Sequence, residues 1–156
     1  MHWRQGLQHT MSTDALGFCL DLGRAHASLS LKLNEDLGAF HGLDYDDFTL
    51  LHLLLRAGND RMPMTELAHT LGLPMSALIR KMVLLEKTGL AERTTGPDDD
   101  PRRHANIRSG GRKLMQAAIT TVEAICVDAV KSLDPQRLPD LHAALRVLCD
   151  HDTPHA

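Results

Sequence analysis

The chain is 156 residues long, 43% hydrophobic and 24% charged, with 17 Lys and Arg against 20 Asp and Glu for a net charge of −3. That is one domain's worth of sequence, apolar enough for a core and mildly acidic overall. No apolar run approaches the roughly 20 residues a bilayer-spanning helix needs, and MHWRQGLQHT lacks the apolar core of a secretory signal, so a soluble cytoplasmic protein is expected.

Residues 1–12 are expected to be a disordered tail, with Met11 a possible alternative start, and residues 13–150 a single domain. From Asp14 to about Leu37, Leu16, Leu20, Gly23, Ala27, Leu31 and Asn34 follow a helical stripe whose small residues allow close approach.

The stretch from Met64 to Arg93 is the most informative. Leu67, Ala68 and Leu71 share one helix face. Gly72 ends that helix, because glycine takes the left-handed conformation without a Cβ clash. Pro74 suits the first turn of a new helix, where its missing N–H would be unpaired anyway. In this second helix Leu78, Met82 and Leu85 make the buried stripe, while Met75, Ser76, Ile79 and Arg80 point elsewhere. Gly89 closes it. Two helices joined by so short a connection fit a helix-turn-helix, whose second helix reads bases with its N-terminal residues. An ordinary pair of core helices would show the same pattern.

The residues after Gly89 favour the first alternative. Leu90 to Arg93 can form a short strand, TTGPDDDPRR is polar and turn-rich, and His104 to Ile107 can return as a second strand. A hairpin with arginines near its tip, directly after such a helix pair, is a wing. Asp98, Asp99 and Asp100 would repel phosphate unless they pair with Arg102 or Arg103. The net charge also resolves by region. Residues 1–60 carry 4 basic and 8 acidic side chains, 61–113 carry 10 and 6, and 114–156 carry 3 and 6. Positive charge thus gathers where a phosphate-facing surface would lie.

A long helix is expected from about Ser109 to Leu133, with Leu114, Ala118, Val122, Ile125 and Ala129 on one side. Asp134 and Pro135 open a last helix carrying Leu138, Leu141, Leu145 and Leu148. A winged-helix core does not need these outer helices to fold, so their apolar faces suggest a partner surface. The fold class is therefore mainly α with a small β-hairpin wing. A winged helix-turn-helix core (45–109) sits between flanking dimerisation helices (13–40 and 110–150).

Residues 46–114 resemble the multiple antibiotic resistance regulator (MarR) family of winged-helix transcription factors. The resemblance is carried by Glu66-Leu67-Ala68, Leu71-Gly72-Leu73, the helix from Ser76 to Glu86, Lys87-Thr88-Gly89-Leu90, Glu92-Arg93, the acid-then-arginine wing, and Gly111-Arg112 opening a long helix. Ala77 and Ile79 stand where the family commonly has hydroxyl residues, so methyl contacts to thymine can replace some hydrogen bonds. Ile107-Arg108 replaces the family's Leu-Thr, leaving Ser109 as N-cap, and the wing arginines come two positions late, behind Pro101. The resemblance implies a homodimer on a pseudo-palindromic double-stranded DNA operator, with repression relieved by a small aromatic carboxylate or phenolic ligand.

For DNA contact the candidates are Met75, Ser76, Ile79 and Arg80 at base edges, Lys81 and Lys87 at phosphates, and Arg102 and Arg103 at the minor groove. For the ligand, a crevice between the dimer helices and the DNA-binding lobe would draw on Arg24, His26, Ser30, His41, Tyr45, His52 and Arg56. His26, His41 and His52 fall on segments that should converge. Some family members sense hydroperoxides through a cysteine, and Cys19 and Cys126 invite that alternative. Gly17 holds the reactive position, however, and Asp21 would raise the pKa of a nearby thiol. No metal, cofactor or enzyme activity is expected. His151 and His155 flank Pro154, and no Gly-rich phosphate loop, nucleophile elbow or paired catalytic carboxylate setting occurs.

Overall fold

Helix α1 (Trp3–His41) begins ahead of residue 13, where order was expected to start, and continues four residues past Leu37 to His41. It belongs to a computed structural model that describes residues 3–95 and 102–150, with side chains from residue 13 on. The pairing expected of Asp98, Asp99 and Asp100 with the arginines, and the histidines His151 and His155, lie outside the described residues. Among the described side chains of α1, those buried in their own chain are Leu33 and Leu37, at its end. The expected stripe is open, with Leu16 61%, Leu20 59% and Leu31 73% exposed.

Gly42, at φ 65°, turns the chain into α2 (Tyr45–Arg56). Asp44 caps that helix, its Oδ1 accepting the Asp47 N–H at 2.6 Å. Asp46 and Asp47 complete an acidic first turn, favourable at the positive end of a helix. Phe48, Leu50, Leu51 and Leu54 then bury one face, each such side chain contributing about 1.5–3 kcal/mol. A 3₁₀ turn over Gly58–Asp60, with Asn59 and Asp60 both at φ 57°, leads to the short strand β1 (Arg61–Pro63).

The next two helices follow the sequence expectation closely. Helix α3 (Met64–Leu71) buries Met64, Leu67 and Ala68 and ends at Gly72, φ 64°. Helix α4 (Met75–Lys87) buries Leu78, Met82 and Leu85. Pro74 is its N-cap and so precedes the first turn in which it was expected; its carbonyl accepts the N–H groups of Ala77 and Leu78. Gly89, φ 73°, lets the Leu90 N–H close on the Leu85 carbonyl at 2.9 Å. That use of Leu90 delays the second strand, β2 (Ala91–Thr94), by one residue.

Strand β3 (His104–Ile107) lies between the other two, giving the antiparallel order β1-β3-β2. Ala105 pairs with Met62 on one side and Arg93 on the other. The hairpin is therefore a three-stranded sheet, and β1 is a strand that no pattern in the sequence announced.

Helix α5 (Ser109–Val130) buries Gly111, Met115, Ala118 and Val122, so Met115, not Leu114, takes the core position in its first turns. A Cβ on Gly111 would overlap the Leu90 carbonyl oxygen and stand 2.8 Å from Ile107 Cγ1. The chain divides into two units, Met1–Val122 and Glu123–Ala156. In the second, Asp134 accepts the Gln136 N–H at 3.0 Å and opens a turn into α6 (Leu138–Asp150), which buries no residue. No helix among the described residues is long and apolar enough to cross a membrane.

Candidate nucleic-acid interface

The first turns of α4 and the base of the β2–β3 hairpin face a common cleft of about 440 Å³. Its floor comes from Pro63, Met64 and Thr65, one wall from Met75 and Ile79, and the other from Arg93, Arg102, Arg103 and His104. Met75 and Ile79 are 36% and 39% exposed, on the face of the helix away from the buried Leu78, Met82 and Leu85. Ser76 and Arg80 are exposed beside them. The arrangement offers methyl and thioether surface, a hydroxyl and a guanidinium on one rim and arginines on the other. Such a set matches a groove whose base edges offer hydrogen-bonding groups and thymine methyls between phosphate walls.

The hairpin is held in place by backbone and charge together. The Arg103 carbonyl accepts the Met64 N–H at 2.8 Å, joining the wing to the start of α3. Arg102 adopts φ 55° just before it. Glu86, near the end of α4, receives the Arg93 N–H at 3.0 Å, its Nε at 2.8 Å and its Nη2 at 2.9 Å. This bidentate pair holds the Glu86 carboxyl below its usual range and the Arg93 guanidinium above it. On the sheet, Glu92 accepts from Asn106 Nδ2 at 3.1 Å and lies 3.7 Å from Arg108 Nε. Arg112 Nη1 donates to Asp60 Oδ1 at 2.9 Å, and that hydrogen bond holds Asp60 below its ordinary value. The left-handed turn at Asn59 and Asp60 is thereby fastened to α5.

These pairs change the meaning of the basic excess in residues 61–113. Arg93, Arg108 and Arg112 are matched by Glu86, Glu92 and Asp60, so they shape the lobe; Arg80 and Lys87 are exposed on α4 and Arg102 at the hairpin. Lys81 departs most from what was expected of it. Its Nζ lies 3.0 Å from Asp47 Oδ1, 3.5 Å from Asp44 Oδ2 and 4.0 Å from Asp46 Oδ2, and its side chain is 21% exposed. It is engaged with the start of α2 and does not line the cleft.

The residues expected to hold a ligand have separate surroundings. Arg24 lies 3.5 Å from Asp21, both exposed. Ser30 Oγ is 3.4 Å from His26 Nε2 on the open face of α1. His41 Nε2 is 2.7 Å from Thr121 Oγ1, tying the end of α1 to α5. Tyr45 and His52 come together on the two sides of Phe48, with ring centroids 6.5 and 5.9 Å from it and planes 17° and 14° off parallel. Burial, then the nearby Arg56 charge, lowers the His52 pKa and favours the neutral ring. Arg56 is exposed. The expected convergence of His26, His41 and His52 is not seen within the chain: His26 and His41 have partners of their own, and His52 stacks on Phe48 of its own helix.

Sequence reasoning missed β1, the Glu86–Arg93 clamp and the setting of Lys81. A signal existed for the last: Asp44, Asp46 and Asp47 crowd a helix start, where acids belong, yet three within four residues exceed what one N-terminus can use.

No family model and no curated protein matches the chain. Solved structures do. The MarR family transcriptional regulator Sco3205 from Streptomyces coelicolor, solved in complex with DNA, is 22% identical with a TM-score of 0.81, over 92% of this chain and 90% of that one. AbsC, a MarR family transcriptional regulator from the same organism, is 26% identical with a TM-score of 0.76, over 89% and 93%. Apo wild-type MarR from E. coli is 20% identical with a TM-score of 0.67, over 81% and 93%. The chain thus shares the overall fold of these proteins: it is built on the winged helix-turn-helix fold of the MarR family of transcriptional regulators.

Proposed function

We propose that the protein is a homodimeric, sequence-specific DNA-binding regulator of transcription, acting as a repressor that a small aromatic carboxylate or phenolic ligand releases. The observation that carries this reading is the shared cleft: Met75 and Ile79 on α4 face Arg102 and Arg103 on the wing, with Ser76 and Arg80 exposed alongside. A base-reading helix beside a cationic hairpin is what a major groove and its neighbouring minor groove require. The DNA-bound state of Sco3205 supports it by likeness of fold. Selection of bound duplexes from a random pool is the test. Enrichment of a pseudo-palindrome with half-sites about 10 base pairs apart is expected, and a pool that stays random would overturn the reading.

The homodimer is supported by the apolar side chains that α1 and α6 each leave open. Phe18 is 52% and Leu31 73% exposed on α1, and Leu141 and Leu145 are 47% and 42% exposed on α6. Such surfaces belong against a partner. Light scattering at micromolar concentration should give twice the chain mass. For the effector, Tyr45 and His52, half-buried and stacked on the core ring of Phe48, supply aromatic surface on α2. A thermal-shift panel of aromatic acids should raise the melting temperature, since a ligand of the native state must stabilise it. The peroxide-sensing alternative has less behind it. Burial, then the Glu123 charge, pushes the Cys126 thiol up, away from the reactive thiolate.

A further inference from the structure

We propose that Lys81 is a positioning residue of the DNA-binding surface, which fixes α4 against the junction of α1 and α2 and takes no phosphate itself. The inference rests on the DNA-binding reading above. Lys81 Nζ donates to Asp47 Oδ1 at 3.0 Å, and the Asp44 and Asp46 carboxylates stand at ion-pair distances of 3.5 and 4.0 Å. To reach a phosphate, Lys81 would have to leave all three. Asp44, Asp46 and Asp47 would then face a polyanion with no cation among them, so the attraction of a single phosphate is outweighed by three uncovered repulsions.

The place of this cluster gives it a purpose. Asp44 is the N-cap of α2, and the Tyr45 N–H beside it donates to Asn34 Oδ1 of α1 at 2.7 Å. The Leu43 N–H donates to the Leu37 carbonyl at 3.3 Å across the same turn. Lys81 thus binds the flank of α4 to a corner already tied to α1. It directly follows Arg80 and stands two residues after Ile79. Because helix side chains advance by a fixed angle per residue, holding Lys81 sets where those two point. The other end of α4 is held by Glu86 and Arg93, so rotation of the helix about its axis is controlled at both ends. Burial works against the Lys81 charge, and the hydrogen bond and the carboxylates more than offset it, leaving the pKa above its usual value.

The test uses the full-length protein and the duplex enriched from a random pool, with a scrambled duplex of the same composition for comparison. Lys81→Met should lower the ratio of enriched to scrambled affinity about tenfold. The slope of log affinity against log salt should stay that of the wild type, because no phosphate contact has been lost. A slope reduced by about one, with base preference intact, is the signature of a phosphate contact and would overturn the proposal. Asp47→Ala leaves Lys81 charged and gives a second reading should the methionine variant unfold. It should lose base preference severalfold; full preference with tighter binding would overturn the proposal. A wild-type chain that enriches no sequence would instead overturn the DNA-binding reading, and this inference with it.

Discussion

At the wing side of α4 one carboxylate meets one guanidinium, whereas at the opposite flank three carboxylates meet one ammonium. Glu86 and Arg93 are 28% and 11% exposed, bidentate and balanced in charge. Lys81 is 21% exposed, but Asp44 and Asp46 around it are 53% and 72% exposed, and the cluster has two negative charges left over. A balanced, sheltered pair holds two elements together with little screening by salt. An unbalanced, half-open cluster depends on screening and on the protonation of its own members. The wing side is therefore the rigid reference of the DNA-binding lobe, and the α1–α2 side is the adjustable one, next to the helix that leaves its apolar face open.

The sharpest way to break the rigid side is Gly111→Ala. The new methyl would overlap the backbone carbonyl oxygen of Leu90 at the α4 exit and press on the Ile107 side chain of β3. Overpacking of this kind costs about 1–3 kcal/mol, and α5 cannot retreat without pulling Met115 and Ala118 from the core. Chemical denaturation should show a lower midpoint with an unchanged slope. Next comes Glu86→Ala, which leaves the sheltered Arg93 guanidinium without its carboxylate. A loss of about 2 kcal/mol is expected, together with a wing that exchanges its amide hydrogens faster. Were Glu86→Ala no more damaging than Lys81→Met, the contrast between the two sides would be lost.

Arg80→Ala probes the surface that both holds serve. It should leave stability within about 0.5 kcal/mol, since Arg80 is exposed. Base preference at one position of each half-site should relax, at a cost of about 1–3 kcal/mol in affinity for the enriched duplex. A binding assay with substituted duplexes reads the change directly.

The core of this fold was legible because periodicity and glycine punctuation carry it. Leu78, Met82 and Leu85 repeat at the helical period, and Gly72 and Gly89 mark the ends of their helices through a conformation few other residues accept. The strand β3 was found to the residue. By contrast β1 is three residues long and ends in proline, so no alternation can announce it. The base-edge candidates were readable as the positions left over once the buried stripe was assigned. The ion pairs were not, because charge spacing along a chain does not say which partner a folded neighbour brings. Lys81 looked like any exposed lysine on such a helix, and only the fold, which brings the start of α2 beside it, supplies its acids.

The smallest expected effect separates the two sides most cleanly, because its sign reverses between them. Burial, then the Asp44 and Asp46 charges, raises the Asp47 pKa even though the Lys81 hydrogen bond lowers it. A carboxyl raised on folding is destabilised in its charged form, so Asp47 costs stability above its folded pKa, and that cost fades as pH falls from the folded pKa to the unfolded value near 3.9. Asp47→Asn keeps an acceptor for Lys81 and removes the charge. It should raise stability at pH 7, by less than about 1 kcal/mol, and the gain should vanish toward pH 3. Glu86 is lowered on folding, first by its Arg93 hydrogen bond. Its contribution is present above the unfolded value and lost as pH falls through the folded one, so Glu86→Gln should cost stability at pH 7 and less in acid. Melting temperatures of both variants from pH 7 to pH 3 should approach the wild-type curve from opposite sides. If both approached it from below, the excess acid beside Lys81 would be a stabilising feature, and the adjustable character assigned to that side would be wrong.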